Sequence, residues 1–166
     1  MKFRGLATVM ACIASLSGTA FAQAPSAPPA PPPAYGPPIT LAQAKKVAAA
    51  AEAEARRLGL NQVIVIVEPA GDLVYLERMD GISYGTIHLA ERKAQTAARF
   101  RRPSQIFEER VQAGSNYLLG LEGALPVGGG VPIVSNGEIN GAIGVAGAPL
   151  SPPDSQVAKV GADAIQ

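Results

Sequence analysis

His88 is the single histidine of this 166-residue chain, and Cys12 is its single cysteine. A zinc site of the ordinary kind draws on several imidazole or thiolate ligands, so none can be assembled within one subunit. No nucleophile-elbow sequence supports a Ser-His-Asp triad either. His88 is therefore the candidate metal ligand, and its alternative is an ordinary surface or interface histidine, because it sits between Ile87 and Leu89 with no evident partner to orient the ring. Arg78 and Asp80 flank Met79 beside a chain break at Gly81. The planar fork of Arg78 could hold a carboxylate through two hydrogen bonds; equally, the two residues could pair with each other or cap the next helix. Lys93 falls in an alanine-rich stretch. There it is either a solvated edge residue or, within a pocket, the group that neutralises an acid. A general base would have to come from His88, Glu77, Asp80 or Glu122, and nothing in their spacing selects one. No catalytic residue can be assigned, and enzymatic activity stays open.

The densest stretch is GALPVGGGVPIVSNGEINGAIGVAGAP, from Gly123 to Pro149. Gly128, Gly129 and Gly130 leave room for a close approach, and their amides could cradle an anion as backbone nests do. No Lys-Ser/Thr follows and no strand-to-helix switch is present, so a nucleotide P-loop is rejected. Gly141, Gly144 and Gly147 recur every third residue, which fits neither strand alternation nor a helical face. Another backbone packed closely against that segment explains them. Asp154 reads as a helix-start carboxylate, with a ligand role open if its helix faces the glycine loop.

These residues need elements to hold them. Thr40 and Gln43 make a capping-box pattern, and Leu41, Ala44, Val47, Ala48, Ala51, Ala55 and Leu58 follow at helical spacing until Gly59. Gln62 to Val67 is a β-branched run expected of a strand buried on both faces. A turn at Pro69 to Asp72 returns the chain through Leu73 to Arg78, antiparallel to it. A second helix runs from Ser83 or Tyr84 to about Phe100, with Ile87, Ala90, Ala94 and Ala97 or Ala98 inward, and stops at Arg101-Arg102-Pro103. Ser104 is expected to cap a short third helix to about Val111, and an irregular link then carries Tyr117 and Leu118 into the core. Val131 to Ser135 and Ile139 to Ala146 are strands joined by Asn136-Gly137, the dipeptide of a type I′ hairpin. Ser151-Pro152-Pro153-Asp154 opens the last helix, with serine as its cap. Hairpin-joined strands with helices on the faces indicate an antiparallel α+β sandwich.

The first 22 residues combine a basic start (Lys2, Arg4), an apolar middle and Ala20-Phe21-Ala22, the pattern of a cleaved secretory signal. A periplasmic or secreted location follows, with cleavage near Ala22. The apolar stretch is shorter than the roughly 20 residues of a membrane span. Residues 23–39 are a proline- and alanine-rich linker, and 40–166 are one domain. The whole chain has 14 Lys and Arg against 13 Asp and Glu; without Lys2 and Arg4 the acids outnumber the bases by one. No basic excess is left for nucleic acid or anionic lipid. Loss of Cys12 with the leader leaves no thiolate and no disulfide.

GGGVPI, NG and GAIGVAG followed by Asp154, together with RMDG at Arg78 to Gly81 and ERKAQTAARFRRPS at Glu91 to Ser104, resemble the GlcG/HbpS-like family of small haem-binding or haem-degrading proteins, related to the C-terminal domain of PduO-type proteins. The resemblance covers nearly all of Thr40 to Gln166. It implies a profilin-like arrangement of the sheet and helices, a homo-oligomer, and a haem or related tetrapyrrole ligand that is stored, sensed or slowly degraded. If haem is held through an imidazole, the ligand is His88; Tyr75, Tyr84, Tyr117 and Met79 are further side chains able to reach iron. Arg78 would then hold a propionate, and the ligand is expected in a recess at a subunit interface formed by the second helix and the glycine loop. The alternative is a non-catalytic binding or interaction module for a small carboxylate or other small anion.

Overall fold

The computed structural model describes residues 31–166, so the expected leader, its cleavage site and the first part of the linker lie outside the described residues. Pro31–Gln166 forms one compact unit. Helix α1 (Leu41–Arg57) begins with the capping box read from Thr40 and Gln43, and Gly59 follows it at φ 69°. Strands β1 (Val63–Val67) and β2 (Leu73–Arg78) form the first hairpin. Helices α2 (Gly85–Phe100) and α3 (Gln105–Gln112) come next. A 3₁₀ turn (Asn116–Gly120) and the glycine loop lead to β3 (Gly130–Ser135) and β4 (Glu138–Ala146). Helix α4 (Ser151–Ala162) closes the order.

The four strands form one antiparallel sheet in the order β2-β1-β4-β3. Helices cover both faces, which is the α+β arrangement the sequence implied. Ile64, Ile66, Ile143 and Val145 meet α1 and α4, whereas Val63, Val65, Val67, Ala142 and Ala146 meet α2. Burying each isoleucine or valine is worth about 1.5–3 kcal/mol. Because β1 is apolar on both sides, a one-residue slip would not by itself expose polar groups to the core. The glycines of β4 discriminate between the faces. A Cβ on Gly144 would collide with the backbone of Ala90 and Ala94, and one on Gly141 with the carbonyl of Val67. The expected close backbone approach is thus real, and α2 lies against the sheet through Ala90, Ala94 and Ala97. Asn136 and Gly137, at φ 53° and 78°, make the tight β3–β4 turn.

Several local expectations differ. The end of the linker packs on the domain: the amide of Ile139 donates to Ala34 and that of Gly36 to Ile139, Tyr35 bonds the end of α2, and Ile39 is buried. Tyr35 and Ile39 are the large apolar groups of that stretch, and the hairpin end of β4 extends beyond β1, leaving room for them. Leu41 and Tyr117 are exposed; only Leu118 of the 3₁₀ turn enters the core, because a single short turn can direct one side chain inward. Ser104 and Ser151 do not cap their helices through their side chains. Leu150 holds the cap position of α4, and both serine hydroxyls are engaged around the glycine loop.

Candidate functional site

The sequence-selected residues divide into two groups. The first is buried. Lys93, 1% exposed, points from α2 toward the loop and donates to the Asp154 carboxylate at 2.7 Å and to the Val145 carbonyl at 3.0 Å. Asp154 also accepts from the Gln62 side-chain amide at 2.7 Å and the Ala148 amide at 3.0 Å. Lys93 is therefore not a solvated edge residue; it neutralises an acid in the interior. The glycine loop closes over this pair. A Cβ on Gly129 would stand 2.9 Å from Asp154 Cβ and 3.0 Å from Lys93 Nζ, and one on Gly130 would strike the Lys93 carbonyl.

The loop amides are largely committed within the chain. Gly128 donates to Glu108 at 3.1 Å, and Gly130 donates to the Ser104 hydroxyl at 2.9 Å. Ser104 in turn donates from its hydroxyl to Val127 and from its amide to Gly130, while Ser151 bonds the Glu108 carboxylate. An anion nest needs free amides, so the expected cradle at Gly128, Gly129 and Gly130 is replaced by tight packing. Sequence reading missed Gln62, Ser104 and Glu108. Their only signals were a polar residue opening a β-branched run and a serine after Pro103, and both have commoner local explanations.

The second group is exposed, around the start of α2. The Arg78 guanidinium lies over the Tyr84 ring, 5.1 Å from its centroid. Tyr84 is 79% exposed and His88 follows four residues later, so the two share a helix face. The His88 side chain is 84% exposed, with Nδ1 3.7 Å from Glu91 Oε2. At that distance the carboxylate makes no hydrogen bond to the ring, and Nε2 is left for a ligand. Among the described residues Asp80 neither pairs with Arg78 nor caps α2. Arg78 instead prefers the aromatic face, where a planar cation stacks well.

His88 and Lys93 are five residues apart, a rotation of about 140° around α2 at ~100° per residue. Lys93 meets the glycine loop and His88 faces away from it. The single recess expected between the imidazole and the loop is consequently not formed within the subunit. Two recesses, of 380 Å³ along β3 and 490 Å³ between α3 and the start of α4, are both lined without His88, Arg78 or Asp80. Among the further general-base candidates, Glu77 is pushed upward first by burial and then by neighbouring Glu52, while Glu122 is exposed. Neither lines either of the two recesses. Among the described residues, no three His, Cys, Asp or Glu gather as a metal cage, and no helix is long and apolar enough to cross a membrane.

A family model described as haem degrading protein HbpS-like matches residues 39–163. A protein of 15.0 kDa from the dhaT-dhaS intergenic region of Citrobacter freundii is 34% identical over 113 residues, 66% of this chain and 80% of that protein. Protein GlcG of Escherichia coli K12 is 34% identical over 107 residues, covering 64% and 80%. The crystal structure of HbpS superposes with a TM-score of 0.72 at 33% identity, over 79% of this chain and 92% of HbpS.

Proposed function

The chain belongs to the HbpS-like family, and on that premise we propose that it binds haem, with His88 as the iron ligand and the Tyr84–Arg78 surface beside it. One observation carries this reading. The only imidazole stands exposed on one helix face with an exposed aromatic ring and a guanidinium, the three groups that iron, a flat macrocycle and a propionate each need. Glu91 lies on the Nδ1 side of His88, at 3.7 Å, so Nε2 is the nitrogen turned to a ligand. Haem, when bound, supplies a redox-active iron.

The chain's own residues bind and orient. The patch is open to solvent, so it covers one face of a planar group, and a second copy of the chain supplies the other face in a homo-oligomer. The N-terminal pattern of residues 1–22 supports a site of action outside the cytoplasm, in the periplasm or the medium. Storage and sensing leave the macrocycle intact; degradation consumes it.

Titration of the purified protein with haemin is the test. A saturable Soret shift is expected, weakened at least about tenfold in His88→Ala, the loss of roughly 1.4 kcal/mol of binding. An unchanged titration in the variant removes His88 from the role. No shift in the parent protein removes the reading altogether. Bleaching of the band with a reductant and dioxygen marks degradation, and a stable band marks storage or sensing.

A further inference from the structure

The sheet ends at β3, and its outer edge is not available to another strand. Gly130 turns both its amide and its carbonyl outward, where Ser104 takes them. Alternation then turns Pro132 the same way, and proline has no amide to offer. Along this blunted edge, between the Arg101–Gln105 corner and α4, lies the 380 Å³ recess. That volume is in the range of small-molecule sites, ~300–1,000 Å³.

Its composition is asymmetric. Val131, Pro132, Val134 and Ile139 contribute an apolar lining. Lys159 at the rim is neutralised by Asp163 at 2.7 Å. Arg101 is different. It sits in the left-handed conformation after α2, φ 53°, where its side chain stacks on Tyr35 and donates to the Pro33 carbonyl. Among the described residues no carboxylate pairs with it. The rim therefore presents one cation without an ion-pair partner, with the fork geometry that suits a carboxylate.

We infer that this recess is a second ligand site, for a small amphipathic monocarboxylate whose apolar part rests on Val131, Val134 and Ile139 and whose carboxylate meets Arg101. It contains no histidine, methionine, cysteine or tyrosine among its lining residues, so it offers haem iron no side-chain ligand and is independent of the His88 patch. The two ligand classes implied by the sequence then occupy separate places.

The experiment uses the full chain, benzoate as probe, and benzyl alcohol as a neutral analogue of similar shape. Amide NMR shifts on titration should cluster at Val131, Ile133 and Val134 and at Arg101. Benzyl alcohol, and benzoate against Arg101→Gln, should bind at least about tenfold more weakly, since hydrogen bonds to a charged group contribute ~1.5–3 kcal/mol. Arg101→Lys should retain part of the affinity, which separates loss of charge from loss of structure. Equal binding of benzoate and benzyl alcohol, shifts centred away from β3, or no shifts up to the solubility limit of benzoate would each overturn the inference. Haemin titration of Arg101→Gln should match the parent protein, so failure here is distinct from failure at His88.

Discussion

Lys93 and His88 belong to the same helix, yet their surroundings are opposite in kind. Lys93 is held by Asp154 and Val145, beneath a loop in which added methyl groups would collide with its side chain or backbone. His88 touches little beyond Glu91 and points into solvent. The contrast separates two ways in which a polar residue becomes indispensable. An interior ion pair is over-determined by packing, and its removal damages the fold. An exposed imidazole is under-determined, so its removal should leave the fold intact and affect only what binds there.

The largest expected effect is at the loop over Lys93. Gly130→Ala places a methyl group against the Lys93 carbonyl. Backbone cannot yield as a flexible side chain can, so a loss of more than about 3 kcal/mol is expected in urea unfolding. An unchanged midpoint would mean that the loop moves freely. Next comes the ion pair itself. Asp154→Ala or Lys93→Met alone should cost about 3–5 kcal/mol by leaving one buried charge without its partner. The double variant Lys93→Met/Asp154→Leu should be less damaged than the two single losses combined, and strict additivity in a double-mutant cycle would contradict the coupling. The smallest effect on stability belongs to the exposed patch. Tyr84→Ala should stay within about 0.5 kcal/mol of the parent protein in the same unfolding assay while weakening the haemin titration. A stability loss matching that of Asp154→Ala would erase the contrast.

Much of the framework was legible because its signals are local. The Thr40–Gln43 box, the β-branched run of β1, Asn136-Gly137 and the proline after α2 act over a few residues, and each element formed where it was read. The spaced glycines of β4 announced a close neighbour without naming it. That neighbour proved to be α2 at Gly144 and β1 at Gly141. Ser104 illustrates the limit. A serine before a helix has a strong local explanation as a cap, and only β3 arriving beside it, 26 residues later, redirected its hydroxyl to Gly130.

From sequence alone came the order of elements, the antiparallel pairing within each hairpin, and the short set of side chains able to bind a ligand. Tertiary structure decided which of those side chains face outward. Lys93 lies on the alanine stripe of α2, where local pattern allows burial only if a carboxylate waits opposite, and Asp154 arrives there from 61 residues away. Helical periodicity fixes the angle of about 140° between Lys93 and His88, but the choice of which side meets the sheet depends on the glycines of β4 and the loop above Asp154. Burial of charge is a property of the partner as much as of the residue, and partners distant in sequence leave no local mark.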